Sequence, residues 1–140
     1  MAKQVRDVMN TKPIKLDRST SVVEAARQMR TASVGAVLIS HDGRLAGIVT
    51  DRDIAVRVVA QGRDPSTTRL ADICSSELTT LSPDDDIDRA IDVMRSRAVR
   101  RLPVVDATNR PVGIVSLGDL ALERDPQSVL GRISAAPPNQ

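Results

Sequence analysis

The chain repeats one pattern twice, and this duplication restricts its fold more than any other feature. At an offset of 65 residues, the first-copy residues Asp7, Leu16, Ala25, Met29, Arg30 and Val34 align with Asp72, Leu81, Ala90, Met94, Arg95 and Val99. One residue inserted in a turn of the second copy raises the offset to 66, and Gly47, Ile48, Val49, Asp53 and Ala55 then align with Gly113, Ile114, Val115, Asp119 and Ala121. A length change confined to a turn is what a structural repeat tolerates best. We therefore predict two copies of one structural unit.

Each copy shows the same order of hydrophobic periods. Apolar residues recur at i, i+3, i+4 and i+7 in residues 22–29 and again in 87–94, which predicts a helix with one buried face. Ser21 followed by Glu24 predicts a capping box at the first helix, and Asp86 predicts an N-cap at the second. Each helix is followed by a predicted hairpin, 36–39 with 45–49 and 102–105 with 111–115, and then by a second predicted helix, 51–60 and 117–124. Each copy is therefore predicted to be a short leading strand, a helix, a hairpin and a helix.

The predicted domain boundaries follow the repeat. Residues 1–62 form the first copy, 63–69 a linker, 70–124 the second copy and 125–140 a C-terminal extension with a short helix at 126–133 and a frayed tail at 134–140. A unit this small buries too little apolar surface alone. We therefore predict an α+β fold in which two β-α-β-β-α repeats pack sheet to sheet about a pseudo-twofold axis around one shared core. The seam between the copies is then the expected ligand site.

Composition excludes several classes of protein. No apolar run approaches membrane-spanning length, the N-terminal segment MAKQVRDVMN lacks the apolar stretch of a secretory signal, and the single Cys74 has no disulfide partner, so we expect a cytoplasmic protein. The 20 basic and 18 acidic residues give a net charge of only +2, and Phe, Tyr and Trp are absent. Single-strand and RNA binders depend on aromatic stacking. We therefore expect no nucleic-acid partner and no membrane partner.

Side chains that support catalysis or metal binding are scarce. The single His41 lies in a predicted turn and Cys74 lies far from it in the sequence, so no thiolate–imidazole pair or metal-ligand set is expected. Asp84, Asp85 and Asp86 carry oxygen ligands suited to magnesium or calcium, but the EF-hand spacing is absent. Three acids just ahead of a helix also suit the helix dipole. We therefore expect no metal site and no enzyme activity.

Several segments of the chain resemble a CBS-domain pair, also called a Bateman module. They are Asp7-Val8-Met9, the helix at 22–29, the strand Arg101-Leu102-Pro103-Val104-Val105-Asp106, and the segments 47–53 (GIVTDRD) and 113–119 (GIVSLGD). The resemblance covers nearly the whole chain and is to stand-alone bacterial CBS-pair proteins. It implies a regulatory module that binds an adenosine-containing nucleotide, AMP, ADP or ATP ahead of NAD or S-adenosylmethionine, and signals to an unidentified partner protein. It also implies a homodimer of modules assembled as a flat disc through the helices.

The resemblance assigns ribose and phosphate contacts to two pairs of residues. Asp53 and Asp119 match the family's aspartate, whose carboxylate accepts hydrogen bonds from ribose hydroxyls. Thr50 and Ser116 match the family's hydroxyl residue near ribose and phosphate. An aspartate beside a phosphate is repulsive, and this favours the ribose role for the two carboxylates.

The two copies differ in the cations that the resemblance implies. Arg100 and Arg101 match arginines that reach phosphate oxygens in some family members, and arginine suits phosphate through its planar charged fork. Gly35 and Ala36 occupy these positions in the first copy, and Gly118 replaces a second hydroxyl often found in the family's motif. We therefore predict unequal sites, with the second copy better equipped for an anion.

The same residues also fit roles that need no ligand. Thr-x-x-Asp and Ser-x-x-Asp at a helix start are typical of helix caps. The basic cluster Arg95, Arg97, Arg100 and Arg101 also fits a solvated face. A chain whose residues had only these roles would be a ligand-independent protein-interaction or oligomerisation module with vestigial sites. A DNA-binding regulator has only the slight basic excess in its favour.

Overall fold

The computed structural model describes residues 3–75, 78–125 and 127–136. Over these residues the regular elements, in chain order, are α1 (Val5–Val8), β1 (Lys15–Asp17), α2 (Val22–Ala32), β2 (Ala36–His41), β3 (Arg44–Thr50), α3 (Asp51–Ile54), α4 (Ile87–Arg97), β4 (Arg101–Val105), β5 (Pro111–Ser116), α5 (Leu117–Arg124) and α6 (Val129–Ser134). A π-helical turn, Ala55–Val59, continues α3, and a 3₁₀ turn covers Leu70–Asp72. The chain divides into two compact units: residues 13–78 form the first-repeat unit, and residues 1–12 with 79–139 form the second-repeat unit.

The first-repeat unit contains a three-stranded sheet covered by a helix. Its strand order is β1-β2-β3, with β1 parallel to β2 and β2 antiparallel to β3. Helix α2 buries Val22, Ala25 and Met29, three of the four positions that the helical period predicted, whereas the fourth, Ala26, is exposed. They pack with a set of strand and helix residues that includes Val37, Ile39, Val49, Val58, Leu70 and Ile73. This unit therefore has a core of its own.

The second-repeat unit repeats the helix and the hairpin but has a shorter leading strand. Strands β4 and β5 pair antiparallel, and the leading strand is reduced to a single parallel bridge between Leu81 and Val104. Helix α4 buries Ile87, Ala90 and Met94 on its predicted face. The α+β repeat pair is confirmed, but the buried residues form two separate clusters, so the prediction of one shared core is wrong. Each sheet has its own helix, which packs on it within one cluster.

The compact units are not the sequence repeats, because each repeat gives its leading segment to the other unit. Val5 is fully buried among second-repeat residues such as Leu81 and Ile87, and its N–H donates to Asp85 O at 2.8 Å. In the first-repeat unit, Leu70 and Ile73 from the start of the second copy are buried against α2 and β3. The predicted boundaries at 62 and 70 therefore describe the repeat in the sequence, whereas the packed units divide near residues 12 and 78.

The predicted linker at 63–69 belongs to the first-repeat unit and packs on the start of α2. Val22 N–H donates to Thr68 O at 2.9 Å, and Val23 N–H donates to Pro65 O at 3.0 Å. Thr68 is buried, and its hydroxyl donates to Asp64 O at 2.7 Å. Because the first N–H groups of a helix lack partners within the helix, these carbonyls complete the hydrogen bonding of α2. The segment is therefore a structural part of the unit rather than a free connection.

Two glycines allow the leading segments to cross the sheets. A Cβ on Gly113 would lie 2.9 Å from Asn10 O and 2.6 Å from Met9 Sδ. A Cβ on Gly47 would lie 3.0 Å from both Cβ and Sγ of Cys74. Met9 and Cys74 align in the repeat, as do the two glycines. The glycine in each Gly-Ile-Val segment thus provides room for the crossing chain, a role within the fold rather than toward a ligand.

The helix ends also follow the repeat. Ser21 Oγ accepts from Glu24 N at 3.3 Å, and Asp86 Oδ1 accepts from Asp88 N at 3.0 Å, so both predicted N-caps are present. The reciprocal half of the Ser21 capping box is not formed, and the Glu24 carboxylate accepts from Gln28 Nε2. Helix α6 covers Val129–Ser134, three residues later than the predicted start, and residues 137–140 of the predicted tail lie outside the described part of the chain.

Candidate functional site

Thr50 and Asp53, the first-repeat site, lie where β3 runs into α3. Thr50 is the N-cap of α3, and its Oγ1 accepts from Asp53 N at 3.1 Å. In return, the Asp53 carboxylate accepts from Thr50 N at 2.8 Å through Oδ2. Both side chains are half-buried. This reciprocal pair is a capping box, and it fixes both side chains at the entrance of the helix.

Ser116 and Asp119 form the same arrangement where β5 runs into α5. Ser116 Oγ accepts from Asp119 N at 3.2 Å, and Asp119 Oδ2 accepts from Ser116 N at 2.8 Å. The cap alternative from the sequence is therefore realised in both copies. In each copy the cap uses one carboxylate oxygen, and the capping hydroxyl retains a donor proton.

Arg100 and Arg101 lie beside Ser116 and, with Ser116 and Asp119, complete the second-repeat site. Arg101 is the direct partner of Ser116 in the β4–β5 pairing, and Leu117 N–H donates to Arg100 O at 2.8 Å. Arg100 is exposed and Arg101 is half-buried. Neither guanidinium has an acidic partner within 4.0 Å among the residues that the structure describes. Neither arginine is therefore neutralised by an acid in the described part of the chain, and Arg101 is the one paired directly with Ser116.

The corresponding backbone in the first-repeat site carries no cation. Ala36 is the direct partner of Thr50, and Asp51 N–H donates to Gly35 O at 2.9 Å, as Leu117 does to Arg100. The strand pairing and the helix start are thus the same in the two copies. The backbone is therefore equivalent in the two sites. The predicted difference in charge comes from the side chains alone.

A second difference between the sites was not predicted from the sequence. The other oxygen of Asp53, Oδ1, lies 3.9 Å from Arg57 Nε, and Arg57 Nη1 donates to Ile73 O at 2.6 Å. At the position equivalent to Arg57 the second copy has Glu123, which lies 3.5 Å from Lys3. The spacing of four residues between Asp53 and Arg57 on a helix is the signal that could have revealed this ion pair.

Gly118, the position of the missing motif hydroxyl, contacts the C-terminal helix. A Cβ on Gly118 would lie 2.8 Å from Ser134 Oγ and 3.7 Å from Ser116 Oγ. Helix α6 thus supplies a hydroxyl at the first turn of α5, close to the second-repeat site. Sequence reasoning missed this contact because Ser134 is outside the repeat and has no counterpart in the first copy.

An apolar groove with a basic rim lies between α4 and α5 in the second-repeat unit. Its volume is about 420 Å³, and it is lined by Ile91, Met94, Arg95, Ala98, Val99, Arg100, Leu117 and Leu120. Val99 and Leu117 remain 37% and 39% exposed. Arg95, a member of the predicted basic cluster, is largely solvated and pairs with Asp92 at 3.0 Å. Its charge is therefore balanced by a neighbouring acid on the same helix.

The remaining sequence candidates have structural partners. Asp84 pairs with Arg6, Asp85 lies 3.4 Å from Arg89, and Asp86 caps α4. Each of the three acids thus has a role in the fold that needs no metal ion. Over residues 3–75, 78–125 and 127–136, no three His, Cys, Asp or Glu side chains come together as a possible metal site. Within the same ranges, none of the helices combines the length and the apolar character needed to cross a membrane.

Comparison with known proteins finds the CBS domain twice, at residues 5–60 and 70–124. The CBS domain-containing protein YhcV of Bacillus subtilis is 41% identical over 120 residues, which cover 86% of this chain and 84% of the relative. Hypoxic response protein 1 of Mycobacterium tuberculosis is 34% identical over 117 residues, which cover 83% of this chain and 81% of the relative. The sequence similarity thus extends across both copies.

Solved structures of CBS pairs have the same fold. The CBS domain pair of protein MJ0100, in complex with 5′-methylthioadenosine and S-adenosyl-L-methionine, superposes with a TM-score of 0.79 at 28% identity, covering 86% of this chain and 94% of that chain. Hypoxic Response Protein I, solved with two coordinated zinc ions, gives a TM-score of 0.77 at 33% identity, covering 86% and 98%. The former structure contains adenosine derivatives and the latter contains metal ions.

Proposed function

Because the chain belongs to the CBS-domain proteins and carries two CBS domains in tandem, we propose that it is a regulatory module that binds an adenosine-containing ligand at the second-repeat site. CBS pairs are regulatory modules, and the similar pair of protein MJ0100 binds two adenosine derivatives. In this proposal the chain senses the ligand and performs no catalysis. A partner protein, not yet identified, reads the bound state.

The observation that carries the proposal is the combination of a free carboxylate oxygen on Asp119 with Arg100 and Arg101 on the neighbouring strand, where Arg101 is the direct partner of Ser116. Within the described residues nothing donates to Oδ1 of Asp119, so this oxygen is available to accept hydrogen bonds from the hydroxyls of a ribose. Arg100 and Arg101 supply positive charge for a phosphate or a carboxylate on the same ligand. A carboxylate that accepts hydrogen bonds from a sugar, close to cations that bind an anion, is the pattern that an adenosine derivative with a negatively charged tail requires.

The regulatory step in this proposal is a shift between conformational states. Ligand binding favours whichever state binds it better, and the shift is limited by the difference in affinity between the states. The ligand charge then decides which adenosine derivatives act. AMP, ADP and ATP present phosphates to Arg100 and Arg101, whereas S-adenosylmethionine presents a carboxylate together with two cationic groups. We place the nucleotides first for this reason.

A thermal-shift panel tests the proposed function directly. AMP, ADP, ATP, NAD, 5′-methylthioadenosine and S-adenosylmethionine are added separately, with an external dye because the chain has no tryptophan. A ligand at 100 times its dissociation constant stabilises the folded state by about 2.7 kcal/mol, a rise of roughly 5–10 °C in Tm for a chain of this size. Guanosine monophosphate is the matched control, because it retains ribose and phosphate but changes the base. The absence of a shift with every adenosine compound at millimolar concentration would remove the proposal.

A second candidate function is a ligand-independent self-association module, and the groove favours it. Arg100 is exposed and lines the apolar groove, where Val99 and Leu117 leave apolar surface in solvent. We propose that a second copy of the chain covers this surface in a homodimer. Leu117→Glu should shift the mass measured by light scattering from dimer toward monomer, with Leu130→Glu as a control on another exposed leucine. Dimerisation without any response to nucleotide would favour this function over the first.

The zinc of Hypoxic Response Protein I is not included in the proposal. His41 and Cys74 are the single histidine and the single cysteine of the chain, and His41 is the last residue of β2, with its Nε2 3.4 Å from the Asp42 carboxylate. Zinc sites in proteins are built mainly from several Cys and His ligands together. The composition of the chain therefore gives little support for a zinc site of that kind.

A further inference from the structure

We infer that Arg57 is an internal competitor for Asp53, so that the chain presents one ribose-accepting carboxylate, Asp119, rather than two. This inference rests on the proposed function and deepens it, because it identifies a residue that determines which of the two sites binds. It does not depend on Arg100 and Arg101, which concern the phosphate side of the ligand.

Asp53 has a hydrogen-bond donor at one carboxylate oxygen and a cation near the other. Oδ2 accepts from Thr50 N at 2.8 Å as part of the cap, and Oδ1 lies 3.9 Å from Arg57 Nε. The Arg57 side chain is also anchored at its far end, because Nη1 donates to Ile73 O at 2.6 Å. A ribose hydroxyl that approaches Oδ1 must therefore compete with a guanidinium that is already held in place.

The geometry around Asp119 leaves the equivalent oxygen available. Oδ2 is used in the cap, at 2.8 Å from Ser116 N, and none of the described residues donates to Oδ1. The residue four positions later is Glu123, which is paired with Lys3 at 3.5 Å and brings no positive charge to Asp119. The same cap thus holds two carboxylates whose second oxygens differ: that of Asp53 has a cation 3.9 Å away, and that of Asp119 has no donor among the described residues.

The local helix geometry explains why Arg57 reaches Asp53. Residues four apart on a helix lie on one face, where an acid and a base attract each other. Arg57 lies in the π-helical turn Ala55–Val59, and helical turns of this kind frequently occur at functional sites. Arg57 could instead be a phosphate ligand of the first-repeat site. The existing pairing with Asp53 and the bond to Ile73 O argue against this role, because they neutralise and anchor the cation without a ligand.

Reciprocal substitutions at the two equivalent positions test the inference by calorimetric titration with AMP and, separately, with S-adenosylmethionine. Glu123→Arg places a cation four residues after Asp119 and should weaken binding at the second-repeat site about three- to fivefold, the upper part of the range for an exposed ion pair. Glu123→Gln is the matched control, because it also removes the pair with Lys3 but adds no charge, and its affinity should equal that of the unmodified chain. Arg57→Gln should strengthen the weaker site of the chain by a similar factor.

The outcomes separate this inference from the proposed function. No heat with either compound on the unmodified chain overturns both. Binding by the unmodified chain with equal affinity for Glu123→Arg and Glu123→Gln overturns only the role of Arg57. Weaker binding after Arg57→Gln also overturns it, since this result identifies Arg57 as a ligand contact. Melting temperatures of all three variants show whether any effect arises from lost stability, and Glu123→Arg remains informative if Arg57→Gln loosens the segment at Ile73.

Discussion

Asp119 and Ser116 hold each other through two hydrogen bonds, from Ser116 N to Asp119 Oδ2 at 2.8 Å and from Asp119 N to Ser116 Oγ at 3.2 Å. Asp53 and Thr50 form the same pair at 2.8 and 3.1 Å. Each residue is thus part of a helix cap and also a candidate ligand contact. A loss of ligand binding after mutation has meaning only when it is compared with the loss of stability that the cap alone predicts.

We expect Asp119→Ala and Asp53→Ala to remove the same capping interaction but to affect ligand binding unequally. Loss of an N-terminal capping interaction costs about 1 kcal/mol, which lowers Tm by roughly 3 °C in a chain of this size. Only Asp119 keeps an available oxygen, so Asp119→Ala should reduce AMP affinity more than Asp53→Ala does. Thermal denaturation and calorimetric titration of the two variants measure both effects. Equal losses of affinity would contradict the inequality of the two sites.

We expect Gly113→Ala to destabilise the second-repeat unit by about 1–3 kcal/mol, the usual cost of overpacking. The added methyl group would lie 2.9 Å from Asn10 O, a backbone atom that moves only with the crossing segment. Gly47→Ala should cost less, because its nearest neighbours are Cβ and Sγ of Cys74 at 3.0 Å. Chemical denaturation measures the difference. Met9→Ala in the Gly113→Ala background should restore part of the loss, and a complete absence of rescue would show that the Asn10 carbonyl dominates.

Two core substitutions test the exchange of leading segments. Val5→Ala should destabilise the second-repeat unit by about 2 kcal/mol, and Leu70→Ala should destabilise the first-repeat unit by about 2–5 kcal/mol. Both side chains are fully buried. Hydrogen exchange should report faster opening of β4 and β5 for Val5→Ala and of β2 and β3 for Leu70→Ala. The opposite assignment would mean that each leading segment packs with its own sequence repeat.

Acid should weaken the β4–β5 turn through Asp106. Its carboxylate accepts from the backbone N–H of Arg110 at 3.0 Å and from the hydroxyl and N–H of Thr108 at 2.8 and 2.9 Å, and these bonds hold the pKa of Asp106 below its usual 3.8. A carboxyl group with a lowered pKa in the folded state stabilises the fold above its unfolded pKa, and this stabilisation is lost as the pH falls through the folded value. Asp106→Asn should therefore have a shallower decline of Tm than the unmodified chain below about pH 3.8.

A matched change at Asp17 extends this pH test. The hydroxyl and the N–H of Ser19 donate to the Asp17 carboxylate at 2.5 and 2.9 Å, and they lower the pKa of Asp17 in the same sense. In the double variant Asp17→Asn with Asp106→Asn, the decline of Tm with falling pH should be shallower again than in Asp106→Asn alone. Identical acid profiles for all of these chains would show that neither turn contributes to acid stability.

Much of the fold could be predicted because the repeat restricts it twice. The buried faces of α2 and α4, the hairpins and the caps at Ser21 and Asp86 follow from local period and local hydrogen bonding, and the CBS-pair family assignment is confirmed. The exchange of leading segments could not be predicted, because a short buried residue such as Val5 fits either core equally well on hydrophobicity. Such a choice depends on nonlocal packing.

The residues of the candidate site could be predicted from the sequence, but their contacts with other side chains of the chain could not. The motif located Thr50, Asp53, Ser116 and Asp119 at helix starts, and the structure places all four there. It did not show that Arg57 pairs with Asp53, because the family's motif describes contacts with the ligand and not contacts between the residues of the site. The contact of Ser134 with Gly118 was also not predictable, since it joins residues from unrelated parts of the sequence.

The exchanged segments have a consequence for the order in which the protein forms during synthesis. The first-repeat unit is complete once residue 78 has left the ribosome, whereas residues 1–12 must wait for residues 79 onward. We therefore expect that β2 and β3 resist protease in nascent chains arrested just after residue 78 has left the ribosome, while the segment around Val5 is still cleaved. The segment around Val5 emerges before the residues that bury it, so a chaperone that binds the nascent chain there would meet an apolar segment without its partner.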